Sequence, residues 1–455
     1  VHARRVRPDT TSTDPRRLVA AVLSAVLPGL GQAFNRRQRL AAIFAIPSIV
    51  LIAAAWLLLQ FNTSSMLLAH AVVPGTLQLL LILNVLVLIG RVIATLEAFI
   101  DRRYPGKPGR LGSVGLAVVL ALVVLPHIAV HVYGMSASAN FGRVFGGAAT
   151  GGPEDDSGSG TGPKPGSQDR VNVLLMGIDS GPSRTQALTD SLIVISLDPV
   201  GRTVSMVSIP RDLVDVPLGN GKKFAPKLNS LLGYANSHKT DFPQGGTRAL
   251  EDAVGSLLGV PIHYYAKVDL AGFVKMVDAV GGVDVNVTKP LSDPNYGGFG
   301  VGPGWSIKVG RHHLNGAEAL AYARIRKSPG ESDFTRAERQ QEVLIALRDR
   351  AVAGGNFLFS LPALLSAVGD TVRSDLPPGR LPELAALAEE IGGDRTTQVV
   401  MTSPMVKSGG PNHPYGSVVI PVPKRIAQMV AVVFTAPGTP PGPWPPDKSS
   451  PSPSP

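Results

Sequence analysis

The stretch Val171-Asn172-Val173-Leu174-Leu175-Met176-Gly177-Ile178-Asp179 is apolar almost to its end and then closes on a carboxylate. A second apolar run, up to Leu197, opens with Thr189-Asp190-Ser191. Short continuous apolar runs bounded by turn residues read as buried strands, so strands are expected over Val171–Met176 and Ser191–Leu197. Thr203–Ile209 alternates as a third. Further on the period changes. Leu250, Val254, Leu257 and Leu258 form a helical stripe in Arg248–Leu258, closed by Gly259, and Phe273, Val277 and Val280 repeat it in Leu270–Val280 ahead of Gly281-Gly282. Val283–Val287 then returns to strand alternation. Asn315-Gly316-Ala317-Glu318 and Thr335-Arg336-Ala337-Glu338 resemble capping boxes and place helix starts near Gly316 and Arg336. Strand and helix periods that alternate in this way predict an α/β or α+β sandwich over residues 171–435.

Upstream, the 455-residue chain is of another kind. Only 17% of its residues are charged, against about 25% in ordinary soluble proteins, and the deficit is local. Leu40–Gly90 contains no Asp, Glu, Lys or Arg, a length that fits two membrane spans, and Leu111–Met135 is uncharged and long enough for a third. Asn62-Thr63-Ser64-Ser65 divides the long run and Pro74-Gly75 offers a second bend. Spans are therefore expected near Ala41–Phe61 and Thr76–Ile100, the second carrying Arg91 and Glu97 at its inner end. Arg4, Arg5, Arg7, Arg16, Arg17, Arg36, Arg37 and Arg39 precede the first span, and Arg102, Arg103, Lys107 and Arg110 follow the second. By the positive-inside rule these groups are cytoplasmic, and three crossings put everything after Gly134 outside the cell. Leu18–Phe34, interrupted by Pro28-Gly29, is expected to be interfacial or re-entrant within a basic N-terminus over 1–40. A membrane region over 41–135 follows, then a Gly/Ser/Pro tether over 136–170 and, at the far end, a disordered Pro/Ser tail over 436–455.

Composition also excludes. With no cysteine there is no disulfide, zinc ribbon, iron–sulfur cluster or catalytic thiol. The net charge of +10 favours contact with phosphate. Topology accounts for the cytoplasmic arginines, and those segments are too short for a helix-turn-helix, so no nucleic acid is expected as a partner.

Four clusters set charge beside apolar segments. Asp179 and Asp190 flank one sheet edge, where each can simply cap a loop or the two together can hold a Mg²⁺ completed by water and phosphate. In Ser208-Ile209-Pro210-Arg211-Asp212, Arg211 ends a strand; it can fork onto phosphate oxygens with Asp212 orienting it, or form a surface pair. In Tyr322-Ala323-Arg324-Ile325-Arg326-Lys327, Arg324 and Arg326 share a face if the segment is extended, and two adjacent guanidiniums repel unless an anion lies between them. In Asp333-Phe334-Thr335-Arg336-Ala337-Glu338-Arg339-Gln340-Gln341, helical spacing puts Arg336, Arg339 and Gln340 on one face, which continues into Val343, Leu344 and Leu347. An arginine aimed at a core needs an anion; a solvated helix end is the alternative.

Taken in order, Val171 to Asp179, Thr189-Asp190-Ser191, Ser208 to Asp212, Lys227-Leu228-Asn229, Tyr322-Ala323-Arg324 and Asp333 to Gln341 resemble the LytR-CpsA-Psr family, firmly over about residues 171–352 and loosely over 353–435. The resemblance implies an αβα domain with an apolar groove for a polyprenyl chain and a charged mouth for its pyrophosphate. It also implies transfer of a glycopolymer from polyprenyl pyrophosphate to peptidoglycan, with Mg²⁺ assisting. On that basis Asp179 and Asp190 are expected as metal-associated carboxylates and Arg211 as a pyrophosphate ligand. Arg324 and Arg326 are expected as paired arginines, Arg336 and Gln340 as helix residues facing phosphate, and Asp212, Lys227, Asp333 and Arg339 as further contributors. Related actinobacterial sequences often carry a basic residue just before the Thr-Asp motif; here Leu188 stands there, with Arg184 upstream.

Other signals are set aside. Gly297–Gly304 is glycine-rich but lacks the Lys-Ser/Thr of a phosphate loop and is expected to be a mobile loop. His312 and His313 are adjacent and face opposite ways in a strand. His127 and His131 have helical spacing and are read as interfacial anchors rather than metal ligands. Two rivals to the transferase keep the same fold: a polyprenyl-pyrophosphate hydrolase and a lipid-binding regulator without turnover.

Overall fold

The computed structural model describes residues 14–61, 73–104, 106–145, 165–179, 188–353, 368–391, 395–410 and 412–445. Asn62–Ser65, Arg184, the arginines before residue 14 and most of the expected tether and tail lie outside them. The chain divides at Ser138/Ala139 into two compact units.

Among the described residues, three helices are long and apolar enough to cross a membrane, Gln38–Phe61, Pro74–Phe99 and Arg110–Phe145, the third running past the end of the first unit. Pro74 does not bend the chain within a run but occupies the first turn of the second helix, where its missing N–H costs nothing. The third helix continues through Phe145, so the first ten residues of the expected tether are helical. Leu18–Phe34 belongs to two short helices, Asp14–Val26 and Leu30–Phe34, broken at Gly29. Gly29 has φ +102°, and a Cβ there would come within 2.5 Å of the Ala41 carbonyl oxygen, so glycine is required. Arg17 donates to the carbonyls of Phe99, Tyr104 and Gly106 at 3.2, 2.8 and 2.9 Å. Gln32 donates to the Ala94 carbonyl at 2.8 Å and to Glu97 at 3.0 Å, and Arg37 pairs with Glu97. These bonds dock the pair on the end of the second long helix. His127 shares a 2.7 Å hydrogen bond with Asn84.

The second unit is built on a six-stranded sheet. Its centre is β1 (Val171–Asp179), β2 (Leu188–Asp198) and β3 (Thr203–Ser208), each antiparallel to the next. Tyr264–Asp269 pairs parallel with β1, Thr396–Val400 parallel with β3, and Val372–Ser374 closes the edge beyond Tyr264–Asp269. Both β1 and β2 are longer than the apolar runs suggest and include Asp179 and Asp190. Because β1, β3, Tyr264–Asp269 and Thr396–Val400 all point the same way, Asp179, Arg211, Asp269 and Thr402 emerge at or just beyond one edge, the carboxyl edge where open α/β sheets bind ligands.

Helices cover both faces, giving an αβα sandwich. One face is a closed core: Leu174 and Met176 of β1 and Leu192 and Val194 of β2 pack beneath Leu231–Ser237, Gly245–Leu258 and Pro423–Val433. Each such side chain, fully buried, contributes about 1.5–3 kcal/mol. The other face lies under Leu270–Ala279, Gly316–Arg324 and Asp333–Ala353, which share a smaller core with the hairpin Val283–Val287/Gly310–Leu314. That core does not fill the space down to the sheet.

Asn315 and Glu318 form the expected capping box. Thr335 and Glu338 do not: the helix starts at Asp333, with Ser332 and Thr335 exchanging bonds at 2.9 and 3.2 Å. Part of the supposed tail is also ordered. Gly438 N donates to Asp198 at 2.9 Å, Gly442 N donates to the Val432 carbonyl at 3.0 Å, and Trp444 packs against the main core.

Glu251 lies on the buried face of the helix Gly245–Leu258. Burial first, and then the nearby Asp375, push its carboxyl up to about 8, and burial raises Asp375 to about 6. A carboxyl raised in the folded state holds a proton that the unfolded chain has released. Stability therefore falls as pH rises from the ordinary carboxylate range, near 4, toward 8. Glu251→Gln should flatten the decline in Tm between pH 5 and pH 8 without lowering Tm at pH 5. An unchanged pH dependence would show that Glu251 is ionised in the fold.

Candidate active site

The unfilled space between the sheet and the three helices is a cavity of about 210 Å³, more than ten times the ~15 Å³ that one water requires. Leu175 and Ile193 form its floor, Phe273, Met276, Leu320, Val343 and Leu344 its walls, and charged residues its mouth. An apolar space of this size is no packing accident in a protein interior, where unfilled volume forfeits dispersion contacts.

Asp179 shares the cavity face of β1 with Leu175 and Gly177. Strict alternation along β2 would send Asp190 to the opposite face with Leu192 and Val194. A β-bulge prevents this: Gly177 pairs with Ser191 and Ile178 with Thr189, so Asp190 is left unpaired between them and is re-aimed into the cavity. Gly177 permits the close approach, since a Cβ there would lie 3.1 Å from Ser191 Cβ.

Arg211 follows β3 and Pro210. Its Nη1 donates to Asp190 Oδ1 at 2.6 Å, while Asp212 and Asp333 stand 3.7 and 3.9 Å from its other nitrogens. Burial pulls this guanidinium down, but Asp190, Asp333 and Asp212 outweigh it, and its pKa is raised. Arg324 is the last residue of the helix Gly316–Arg324, not part of an extended strand. Its Nη2 lies 3.3 Å from Asp179 Oδ2 and 3.6 Å from Asp190 Oδ2. Arg326 lies just beyond the helix end, half exposed, 3.8 Å from Asp333. Strand alternation is therefore not what brings the two arginines together; a helix end and the turn after it both open onto the cavity.

Arg336 has 7% of its surface exposed. It pairs with Asp333 at 2.9 Å, yet its buried Nε has no hydrogen-bond partner. Burial first, and then repulsion from Arg211, lower its pKa. Gln340 lines the cavity beside it.

Three expected ligands are elsewhere. Asp212 and Lys227 pair with each other at 2.8 Å and do not line the cavity. The Lys227-Leu228-Asn229 segment instead braces the mouth from behind, with Asn229 N donating to the Arg211 carbonyl at 3.0 Å and Thr189 Oγ1 to the Asn229 carbonyl at 3.3 Å. Arg339 is turned aside because, at 3.6 residues per turn, Gln340 sits about 40° from Arg336 on one side and Arg339 about 60° on the other. Its Nε donates to the Tyr322 carbonyl at 2.8 Å, and its remaining nitrogens bond the Ile325 carbonyl and Glu331. Gln340 adds a bond to the Ala323 carbonyl at 3.3 Å. Arg339 thus caps the helix end that presents Arg324 and Arg326. Arg339→Lys keeps the charge but not the fork. It should weaken binding of inorganic pyrophosphate about tenfold while a folded spectrum persists, the loss of roughly one good contact; unchanged binding would show that capping does not position the arginines.

Sequence reading missed Tyr296. Burial raises its pKa and the nearby Arg324 opposes the rise, and it stands just before the glycine-rich loop. That loop joins Leu291–Asp293 to Trp305–Ile307 as a hairpin, with Gly304 N bonded to the Tyr296 carbonyl at 2.7 Å. No spacing signal marks this tyrosine. His313 pairs with Asp284 at 2.8 Å and His312 with the Lys308 carbonyl at 2.8 Å.

Among the described residues no group of three or more His, Asp or Glu side chains is arranged to hold a metal. Asp179 and Asp190 do, however, turn one oxygen each toward a single atom, Arg324 Nη2. Two converging carboxylates fit a hard cation that takes the rest of its shell from water and phosphate.

Residues 152–418 match the model of the LytR_cpsA_psr family. Polyisoprenyl-teichoic acid–peptidoglycan teichoic acid transferase TagV of Bacillus subtilis (strain 168) is 32% identical over 248 residues, 54% of this chain and 59% of the relative. Regulatory protein MsrR of Staphylococcus aureus (strain Mu50) is 35% identical over 213 residues, 46% of this chain and 57% of the relative. The chain thus spans somewhat less than two thirds of the length of these relatives. The crystal structure of B. subtilis TagV aligns with a TM-score of 0.46 at 28% identity, covering 58% of this chain and 96% of that one. The family match extends over more than half of the sequence and contains every residue at the cavity mouth, and the chain belongs to the LytR_cpsA_psr family.

Proposed function

We propose that this protein transfers a glycopolymer from a polyprenyl-pyrophosphate carrier to peptidoglycan, forming a phosphodiester link, at a membrane-anchored domain on the extracellular face. One observation carries the reading: an apolar cavity opens at a mouth where the guanidiniums of Arg211, Arg324, Arg326 and Arg336 stand among the carboxylates of Asp179, Asp190 and Asp333, while Asp269, which also lines the cavity, caps the helix Leu270–Ala279. The complementary ligand has an apolar chain joined directly to a multiply charged anion. A polyprenyl pyrophosphate is such a molecule. The relatives named as polyisoprenyl-teichoic acid–peptidoglycan transferases support the same class, and the basic flanks of the apolar helices support the orientation.

In this reading an acceptor hydroxyl attacks the phosphorus that bears the glycan, the bond to the polyprenyl phosphate breaks, and polyprenyl phosphate leaves. Phosphoryl transfer gains chiefly from positioning and charge stabilisation. Arg211 is held by Asp190 and Arg324 is reached by both Asp179 and Asp190, so these arginines are oriented before substrate arrives. Arg336 has its own unmet donor. Asp179 and Asp190 would hold a Mg²⁺, which would neutralise phosphate charge, and they are the nearby acceptors for the hydroxyl proton.

The test uses the full chain in detergent or nanodiscs, a polyprenyl-pyrophosphate-linked oligosaccharide, peptidoglycan, and Mg²⁺ or chelator. Phosphate-linked sugar should appear on the acceptor and nowhere without it. Sugar phosphate released at the same rate with or without peptidoglycan would make the protein a hydrolase.

A further inference from the structure

The carboxyl edge of the sheet carries a second cavity, of about 280 Å³, beyond the strand Thr396–Val400 and behind the helix Asp333–Ala353. That helix is the wall between the two spaces. Arg336 and Gln340 look into the cavity already described, whereas Glu338 and Gln341 line the second, as expected for residues about 200° from Arg336 or close to it around the axis. Between them a crevice is lined by Arg211, Arg336, Ala337 and Val400, and Val400 also lines the second cavity. The far wall is Trp444, in the segment tied down through Gly438 and Gly442.

The chemistry of this lining narrows the occupant. Among the described residues that line it Glu338 is the only charged one, so they repel an anion and do not suit the carrier pyrophosphate. Gln398, Thr402 and Ser403 set polar groups among Val399, Val400, Pro404, Met405 and Pro445, a mixed lining and not the continuous apolar surface that suits a prenyl chain. One indole beside amides, hydroxyls and a carboxylate suits a ligand with an apolar face and a rim of hydroxyls. A pyranose ring is that shape, its C–H face laid on an aromatic ring and its hydroxyls bonded to planar polar groups.

We infer that the Trp444 cavity binds a sugar of the acceptor glycan strand, on the side of the phosphate mouth opposite the apolar cavity. This rests on the transferase reading for its biological meaning, but not for its test. With the full chain and no donor, a peptide-free peptidoglycan tetrasaccharide should bind, as followed by calorimetry. Trp444→Ala and Gln398→Ala should each weaken binding about tenfold, the loss of roughly one good contact. Trp444→Phe should retain most of it, and Arg211→Ala should leave it unchanged. In the transfer assay Trp444→Ala should raise the acceptor KM by a similar factor with the donor KM unaltered. Glycan that fails to bind the wild type, or binds Trp444→Ala equally well, overturns the inference, whether or not transfer occurs. Binding with these dependences but without transfer would overturn the transferase and leave the glycan site standing.

Discussion

Arg336→Met is expected to raise Tm while transfer falls by about a thousandfold or more, the scale of removing an arginine that stabilises phosphoryl-transfer charge. The two effects have one cause. In the free protein Arg336 is buried, shares Asp333 with Arg326 and Arg211, and keeps a donor without a partner. A buried charge that is incompletely paired destabilises the fold, and an apolar side chain of similar length relieves that cost. Each kcal/mol recovered raises Tm by about 2–4 °C in a domain of this size. The same unmet donor is what a pyrophosphate would satisfy, so binding and turnover suffer when it is removed. Thermal melts with and without inorganic pyrophosphate read both sides: ligand should stabilise the wild type and have much less effect on the variant. A variant that melts lower than the wild type and still transfers would mean Arg336 is a structural arginine satisfied by the protein alone.

Asp190→Asn is expected to reduce transfer by about 10²–10³-fold, comparable to losing one preorganised electrostatic contact, with the fold intact because the residue lies at a strand end outside the core. Asp190 holds Arg211 at 2.6 Å and approaches Arg324 at 3.6 Å, so neutralising it loosens two guanidiniums at once. Asp179→Asn loses the 3.3 Å contact with Arg324 but leaves Asp190 holding Arg211, and should cost less in kcat. The pair also separates metal binding from orientation. If the two carboxylates share a Mg²⁺, each substitution raises the Mg²⁺ concentration for half-maximal rate, and excess Mg²⁺ restores Asp179→Asn more fully than Asp190→Asn. Undiminished wild-type transfer in chelator would sink the metal while leaving the arginine mouth untouched.

Much of this site was legible one residue at a time. The motif around Arg211 and the charged segment from Asp333 to Gln341 each announce a cation beside an apolar run, and both reach the cavity. What failed was the grouping. Arg339 shares the helix of Arg336 but is turned far enough around the axis to meet the Tyr322 and Ile325 carbonyls instead of a ligand. Lys227 and Asp212 look like phosphate ligands as separate residues and cancel each other as neighbours. Tyr296 was invisible because contact with Arg324 depends on a hairpin folding back across some thirty residues of sequence.

The sequence by itself determined the three apolar helices, the order of strands and helices, and which residue types could bear charge, because periodicity and helix caps are local and need no partner to be read. Only the tertiary structure decided which charges face a common space. Strand alternation alone would have buried Asp190 in the main core, and the bulge opposite Gly177 and Ile178 turned it to meet Arg211 and Arg324. Likewise the apolar side chains of Leu175, Ile193, Phe273 and Val343 read as ordinary core. That they line a cavity follows from helices held off the sheet by their own smaller core, a spacing set by contacts among separate segments between Phe273 and Leu347.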